Sequence, residues 1–147
     1  MKGWRKDNRE YHREYQKKWR KENSEYYRKY VREYEKNRRA NNLKYRLNSN
    51  IATAIGFALK GNKARHHWET LVGYTIQDLI NRLSVNFQEG MSFKNYGEWE
   101  VDHIRPKSLF HYTKPEDQAF RDCWCLANLQ PLWAIDNRKK GNKFLKV

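Results

Sequence analysis

The segment Trp99-Glu100-Val101-Asp102-His103-Ile104 determines the fold predicted for the C-terminal half of this chain, because it ends a short β-branched run. It is followed downstream by Asn128-Leu129-Gln130-Pro131-Leu132 and by the basic run Asp136-Asn137-Arg138-Lys139-Lys140. Pro131 separates the two asparagines, and a helix-like stretch starts near Trp133. This order predicts a strand, a turn and then a helix.

Asp102 and His103 place two chemically different groups side by side. An aspartate offers a hard oxygen ligand, and a neutral histidine accepts a proton near neutral pH. Hydrolysis of a phosphate diester needs both a cation ligand and a proton acceptor. An Asp-His pair by itself is also common in surface turns and helix caps, so the interpretation depends on the asparagines downstream.

Together with Asn128 and Asn137, this pair resembles the HNH endonuclease family, in the variant with Asp-His on the first strand and one Asn on each of the next two elements. The resemblance implies a ββα-metal hairpin and helix over about residues 98–142. It also implies that Asp102 and Asn137 ligate one divalent cation, that His103 is the general base that activates water, and that Asn128 orients the His103 ring. The lead-in Gly90-Met91-Ser92-Phe93-Lys94-Asn95-Tyr96-Gly97 resembles phage-type members.

The ligand types indicate which cation is expected. Asp and Asn provide only oxygen ligands, and two protein oxygens leave most of an octahedral shell for water and phosphate. This donor set suits Mg²⁺ or Mn²⁺ better than Zn²⁺. One such site hydrolyses one strand at a time, so a monomer is expected to nick DNA and a homodimer to cut both strands.

The charge of the chain predicts a nucleic-acid partner. Lys and Arg number 31 against 17 Asp and Glu, which gives a net charge of +14. A positive field of this size attracts a polyanion, and double-stranded DNA is the expected partner. The basic residues near the motif are therefore predicted to contact DNA: Arg105, Lys107, Arg138, Lys140 and Lys143.

Residues 1–48 form a separate basic arm in the sequence, with 17 Lys and Arg against 7 Asp and Glu. The stretch from Trp4 to Tyr11 returns, 15 residues later, as the stretch from Trp19 to Tyr26. In a helix this period aligns the aromatic side chains in a slowly drifting stripe. We predict a long basic helix that binds DNA through four arginines of the repeat: Arg5, Arg13, Arg20 and Arg28.

Two other interpretations of the arm remain open. Its aromatic stripe can pack on a second copy and form an oligomerisation helix, or the arm can be a partly disordered tail that only raises encounter rates. For the whole protein, the corresponding alternatives to a nuclease are a non-catalytic DNA-binding protein and an oligomeric assembly factor. Loss of cutting in His103→Ala with retained binding would separate the first alternative from a nuclease.

Residues 49–147 are predicted to form the nuclease domain, which makes the fold class α+β with helices backing the hairpin. A packed helix is expected from Ser49 to Gly61, where the apolar residues share one face. A second is expected from Thr75 to about Glu89, with Thr75 and Asp78 as its N-terminal cap. With 33% charged residues, the chain has little apolar material for two cores.

Cysteine usage and hydropathy indicate a cellular compartment. Cys123 and Cys125 are the only cysteines, so a four-cysteine zinc site is excluded within one chain. Free thiols suit a reducing interior, and the sequence has no secretion signal and no apolar run long enough to cross a bilayer. We therefore expect an intracellular, cytoplasmic protein of a bacterial or phage-infected host cell, with no membrane partner.

Overall fold

The computed structural model describes the backbone of residues 2–61 and 66–144, and the side chains of this part from residue 8 onward. The chain divides into two compact units, Met1–Asn42 and Leu43–Val147. The division lies a few residues before the boundary predicted after residue 48. The reason is that Leu43 and Leu47 belong to the first helix of the second unit, where Leu47 is fully buried.

The first unit consists of α1 (Lys2–Glu22) and α2 (Ser24–Asn41). The long helix expected for the arm is therefore interrupted at Asn23. The Asn23 Nδ2 donates a hydrogen bond to the Trp19 carbonyl over 2.9 Å, and its backbone leaves helical geometry at φ −108° and ψ 33°. Asparagine side chains compete in this way with helical hydrogen bonds. α2 contains no buried residue, so packing within the unit contributes little to its stability.

The second unit is α+β, as the sequence predicts. In chain order its elements are α3 (Leu43–Ala58), α4 (Trp68–Val72), α5 (Ile76–Ser84), β1 (Trp99–His103), α6 (Gln118–Trp124), β2 (Leu129–Trp133) and α7 (Ala134–Lys140). Short 3₁₀ turns lie at Phe93–Asn95, Lys107–Leu109 and Leu126–Asn128. The strand, strand and helix order predicted for the C-terminal part is therefore present.

β1 and β2 form a two-stranded antiparallel sheet. Trp99 pairs with Trp133 at one end and His103 pairs with Leu129 at the other. Because side chains alternate along a strand, Trp99 and His103 face one side of β1, and the residues between them at even positions face the other. The connection between the strands contains α6, so this is not a tight hairpin.

The two predicted supporting helices are both present, with different ends. α3 begins at Leu43 rather than at Ser49, because apolar residues continue the four-residue spacing upstream. α5 carries the predicted capping box between Thr75 and Asp78. It ends at Ser84 rather than near Glu89, because the Asn86 side chain donates to the Arg82 carbonyl over 2.7 Å.

Three buried tryptophans form much of the core of the second unit. Trp68, Trp99 and Trp124 are each at most 1% exposed. Each indole N–H has a partner: the Asn48 Oδ1 at 2.7 Å for Trp68, the Ser92 carbonyl at 2.8 Å for Trp99, and the Tyr112 hydroxyl at 3.2 Å for Trp124. Large aromatic side chains can be buried at low cost when their polar atoms are bonded in this way.

Arg82 ties α5 to the start of β2. Its Nε donates to the Leu126 carbonyl over 3.0 Å and to the Leu129 carbonyl over 3.3 Å, and its Nη2 lies 3.4 Å from the Ala127 carbonyl. These carbonyls surround Asn128, so the arginine fixes the 3₁₀ turn that carries this predicted site residue.

We expect Arg82→Met to lower the free energy of unfolding by about 2 kcal/mol, because charge-assisted hydrogen bonds to three carbonyls are lost together. Urea denaturation followed by circular dichroism measures this change. Arg121→Met is the matched control, since Arg121 is exposed on α6 and its replacement should change stability by less than about 0.5 kcal/mol. Equal denaturation midpoints for the two variants would contradict the structural role of Arg82.

Candidate functional site

β1 and α7 face each other through four polar side chains. Glu100 and Asp102 are two residues apart on β1 and therefore lie on the same face of the strand. Asn137 and Lys140 are three residues apart on α7 and share one face of the helix. The Asn137 Nδ2 donates to the Glu100 Oε2 over 2.7 Å, and Lys140 bonds to Asp102. The site is thus built from two cross-element pairs.

Lys140 is buried, with 5% of its surface exposed. Its Nζ lies 2.8 Å and 2.7 Å from the two carboxylate oxygens of Asp102, and it also donates to the His103 carbonyl. The Gln130 Nε2 donates to the Asp102 Oδ2 over 2.9 Å from the neighbouring strand. The ammonium group expected to contact DNA is therefore turned into the protein, because Lys140 lies on the inward face of α7.

His103 is enclosed on the other face of β1. It is 9% exposed, and its ring meets the Trp124 ring edge-to-face with the centroids 4.6 Å apart. Its Nε2 is buried without a hydrogen-bond partner among the described side chains. Burial, followed by the positive charges of Lys107 and Lys140, lowers the pKa of His103 to about 3. The imidazole is therefore neutral near pH 7, and its surroundings oppose protonation.

Asn128 holds the backbone that follows His103. The Asn128 Oδ1 accepts a hydrogen bond from the Arg105 N–H over 2.8 Å, and its Nδ2 donates to the carbonyls of Arg105 (3.2 Å) and Cys123 (2.8 Å). The Ile104 N–H also donates to the Asn128 carbonyl over 2.8 Å. No hydrogen bond joins Asn128 to the His103 ring among the described residues, so its contacts act on the backbone instead of the imidazole.

The side chains at the β1–α7 contact carry oxygen atoms of the type that hard cations bind. The predicted ligands Asp102 and Asn137 lie on facing elements, and Glu100 adds a second carboxylate beside Asn137. Sequence reasoning missed Glu100, although its position two residues before Asp102 on a strand is the signal that places both on one face. The Lys140 ammonium is bonded to the two Asp102 oxygens and the His103 carbonyl, whereas Asn137 bonds to Glu100. The described residues contain no group of three or more His, Cys, Asp or Glu arranged for a metal ion.

The other residues predicted to contact DNA are exposed. On the second unit these are Arg105, Lys107, Arg138 and Lys143. The Arg105 guanidinium lies 4.7 Å from the Phe110 ring centroid. The Lys107 Nζ lies 5.9 Å from the Trp124 ring centroid, and the Trp124 ring also contacts the His103 ring. Positive charge therefore borders the His103 pocket.

The arm presents its predicted arginines to solvent. Arg13, Arg20 and Arg28 are exposed, and the Arg20 guanidinium lies 5.1 Å from the Tyr27 ring centroid. The side chain of Arg5 lies outside the described residues. No helix in the part of the chain that is described is long and apolar enough to span a bilayer.

The chain is similar to two proteins of Acanthamoeba polyphaga mimivirus. It is 28% identical over 110 residues to the uncharacterized protein L426, across 74% of this chain and 48% of that protein. It is 27% identical over 122 residues to the uncharacterized protein L246, across 75% of this chain and 53% of that protein. The chain thus spans about half the length of these curated relatives. No protein-family model and no solved structure matches it.

Burial of His103 makes the stability of the fold depend on pH. Histidine titrates near pH 6.5 in an unfolded chain, whereas the pKa of the folded His103 is lowered to about 3. Protonation therefore favours the unfolded state as the pH falls below 6.5. We expect His103 to remove about 2 kcal/mol of stability between pH 7 and pH 5, measured by urea denaturation. His103→Ala should lack this loss, whereas His111→Ala, at an exposed histidine, should retain it. If stability falls with pH in the same way in both variants, His103 is not the source of the pH dependence.

Loss of the Lys140 ammonium should leave Asp102 as an uncompensated buried charge. We expect Lys140→Met to lower the free energy of unfolding by about 3 kcal/mol, and millimolar Mg²⁺ to restore part of this loss because a cation can then reach Asp102. Thermal and urea denaturation measure both effects. Lys139→Met is the control, because Lys139 is exposed and its ion pair with Asp136 lies at the surface. If Mg²⁺ does not change the stability of Lys140→Met, Asp102 is not a cation ligand.

Proposed function

We propose that this protein is a metal-dependent DNA endonuclease or nickase of the HNH type, in which β1, β2 and α7 form the ββα-metal core. One observation supports this function above all. A buried, neutral His103 lies at the end of the strand that presents Asp102 and Glu100 to the facing helix. Histidine and hard oxygen ligands are therefore consecutive on β1 but on its opposite faces, so hydrolysis of a phosphodiester bond would require the end of β1 to rearrange and bring both to one phosphate.

In this proposal His103 removes a proton from the attacking water. Burial keeps it unprotonated at neutral pH but also makes it a weak base, so the proposal requires the negative charge of a bound phosphate to raise its pKa; Trp124 restricts the orientation of the ring. Asn128 acts as a positioning residue, because its bonds to Arg105 fix the backbone just after His103. The general base is thus held by packing on one side and by backbone hydrogen bonds on the other.

Asp102 and Asn137 would hold one Mg²⁺ or Mn²⁺, and Glu100 is close enough to Asn137 to contribute a further oxygen. A bound cation supplies Lewis acidity to the scissile phosphate and stabilises charge on the leaving oxygen. Before that, Lys140 must release at least one oxygen of Asp102. Its freed ammonium is then available to the phosphate, which would give Lys140 the DNA contact that the sequence predicts.

The proposed substrate is double-stranded DNA in the cytoplasm of an infected cell, as the similarity to mimivirus proteins and the basic surface together favour. The arm contributes additional contacts through its exposed arginines. As a monomer the protein would nick one strand, and as a homodimer it would cut both.

A non-catalytic DNA-binding protein is the second candidate. The buried ion pair between Lys140 and Asp102 favours it, because a permanently retained ammonium would exclude a divalent cation from the carboxylate. The two candidates differ in one measurable respect, which is cleavage in the presence of metal.

Supercoiled plasmid, incubated with the full chain in Mg²⁺, Mn²⁺, Zn²⁺ or EDTA, tests the proposal. We expect nicked or linear product with Mg²⁺ or Mn²⁺ and none with EDTA. His103→Ala should lower the rate at least about 100-fold, because a positioned general base contributes roughly that factor or more. His111→Ala is the matched control, since this histidine is exposed in the connection between the strands.

Gel shifts in EDTA and circular dichroism complete this experiment. A His103→Ala protein that keeps its fold and binds DNA but does not cut supports a catalytic role. If the wild-type protein shifts DNA and never cuts it with any of the three metals, the binding protein becomes the better conclusion. Linear product formed directly from supercoiled plasmid would indicate a dimer.

A further inference from the structure

Six aromatic side chains of the arm are exposed to solvent, and we refer to them as the aromatic stripe. Their exposed fractions are 66% for Tyr11, 57% for Tyr15, 37% for Trp19, 64% for Tyr26, 56% for Tyr30 and 50% for Tyr34. Exposed aromatic residues in this number are unusual, since large rings normally contribute to a core or an interface. The aromatic stripe therefore has the properties of a binding surface.

The spacing of the rings gives this surface a regular geometry. Within α1 and within α2 the three rings are four residues apart, and each step turns by only about 40° around a helix. Tyr30 and Tyr34 are nearly parallel, with an interplanar angle of 17° and centroids 6.4 Å apart. The rings therefore recur with similar orientation along one side of the helix, as successive bases recur along a strand.

The positive charge of the arm indicates the chemistry of the partner that the aromatic stripe binds. Residues 1–42 contain 15 Lys and Arg against 7 Asp and Glu, so a second copy would bring like charges together. Insertion into a lipid surface normally uses Leu, Phe or other strongly apolar side chains. Between residues 8 and 41, Val31 and Ala40 are the only aliphatic residues. A polyanion with flat, polarisable groups fits both the rings and the cations.

We propose that the aromatic stripe binds unpaired nucleobases of single-stranded nucleic acid by stacking, while the flanking Lys and Arg side chains neutralise its phosphates. In a duplex the base faces are already stacked on each other, and only phosphates and groove edges are accessible. Unpaired bases expose faces that tyrosine and tryptophan bind irrespective of sequence. The proposal rests on the proposed function for a nucleic-acid partner and adds the kind of strand that the arm recognises.

Fluorescence anisotropy of the full chain in EDTA tests this without cleavage. The probes are a labelled 30-nucleotide thymidine strand, an abasic strand of equal length and charge, and a duplex of equal length. We expect the thymidine strand to bind at least about tenfold more tightly than the abasic strand, since one stacked base contributes roughly 1–3 kcal/mol. The duplex should bind less tightly than the thymidine strand at the same salt concentration.

Two double variants separate stacking from other uses of the rings. Tyr30→Leu with Tyr34→Leu should weaken binding of the thymidine strand about tenfold and leave abasic binding unchanged. Tyr30→Phe with Tyr34→Phe keeps the ring faces and should bind as wild type. If the phenylalanine variant loses as much affinity as the leucine variant, the hydroxyl groups contact phosphate and the stacking proposal is overturned.

The remaining outcomes are equally decisive. Equal affinity for the thymidine and abasic strands by the wild-type protein overturns the proposal without any variant. A concentration-dependent mass that the leucine variant abolishes identifies a second copy as the occupant and also overturns it. Because binding is measured in EDTA, it does not depend on cleavage. A protein that prefers thymidine strands yet never cuts plasmid would therefore refute the proposed nuclease activity and leave the stacking proposal standing. A protein that cuts plasmid but does not distinguish the strands would refute only the stacking.

Discussion

The contact between β1 and α7 depends on the buried ion pair of Lys140 and Asp102. Transfer of both charges out of water is costly, and their attraction alone often fails to compensate for that cost. Here the Lys140 ammonium also donates to the His103 carbonyl, and the Gln130 amide donates to the Asp102 carboxylate. Both charged groups therefore have hydrogen-bond partners besides each other. An arrangement of this kind contributes more to a defined geometry than to net stability, and the remaining site residues are positioned relative to it.

Elements with a strong local pattern were predictable from the sequence. The order of β1, β2 and α7 follows from short apolar runs and from Pro131, and the cap of α5 follows from Thr75 and Asp78. Helix ends that depend on one polar side chain were not. Asn86 ends α5 early and Asn23 divides the arm, because each amide bonds to a carbonyl one turn back. An isolated asparagine gives no sign in the sequence of whether it will do this.

For the candidate site, the sequence predicts the elements that carry the residues but not the partners of their side chains. Asp102 and Asn137 lie where β1 meets α7, whereas the His103 ring lies on the other face of β1. Which side chain reaches which depends on the rotation of α7 over the strand, and this turns Lys140 inward and brings Glu100 to Asn137. The depressed pKa of His103 likewise depends on burial against Trp124, which arrives from α6. A contact between two distant segments cannot be predicted from the sequence of either segment alone.

The lengths of α1 and α2 bear on how the arm would bind a nucleic-acid strand. With 21 and 18 residues, the two helices are about 32 Å and 27 Å long. Under the stacking proposal, weak and similar contacts repeated along such helices would make the affinity for a nucleic-acid strand depend on the length of the strand more than on any single side chain. A strand long enough to contact both helices would then dissociate more slowly than one that contacts half of one helix.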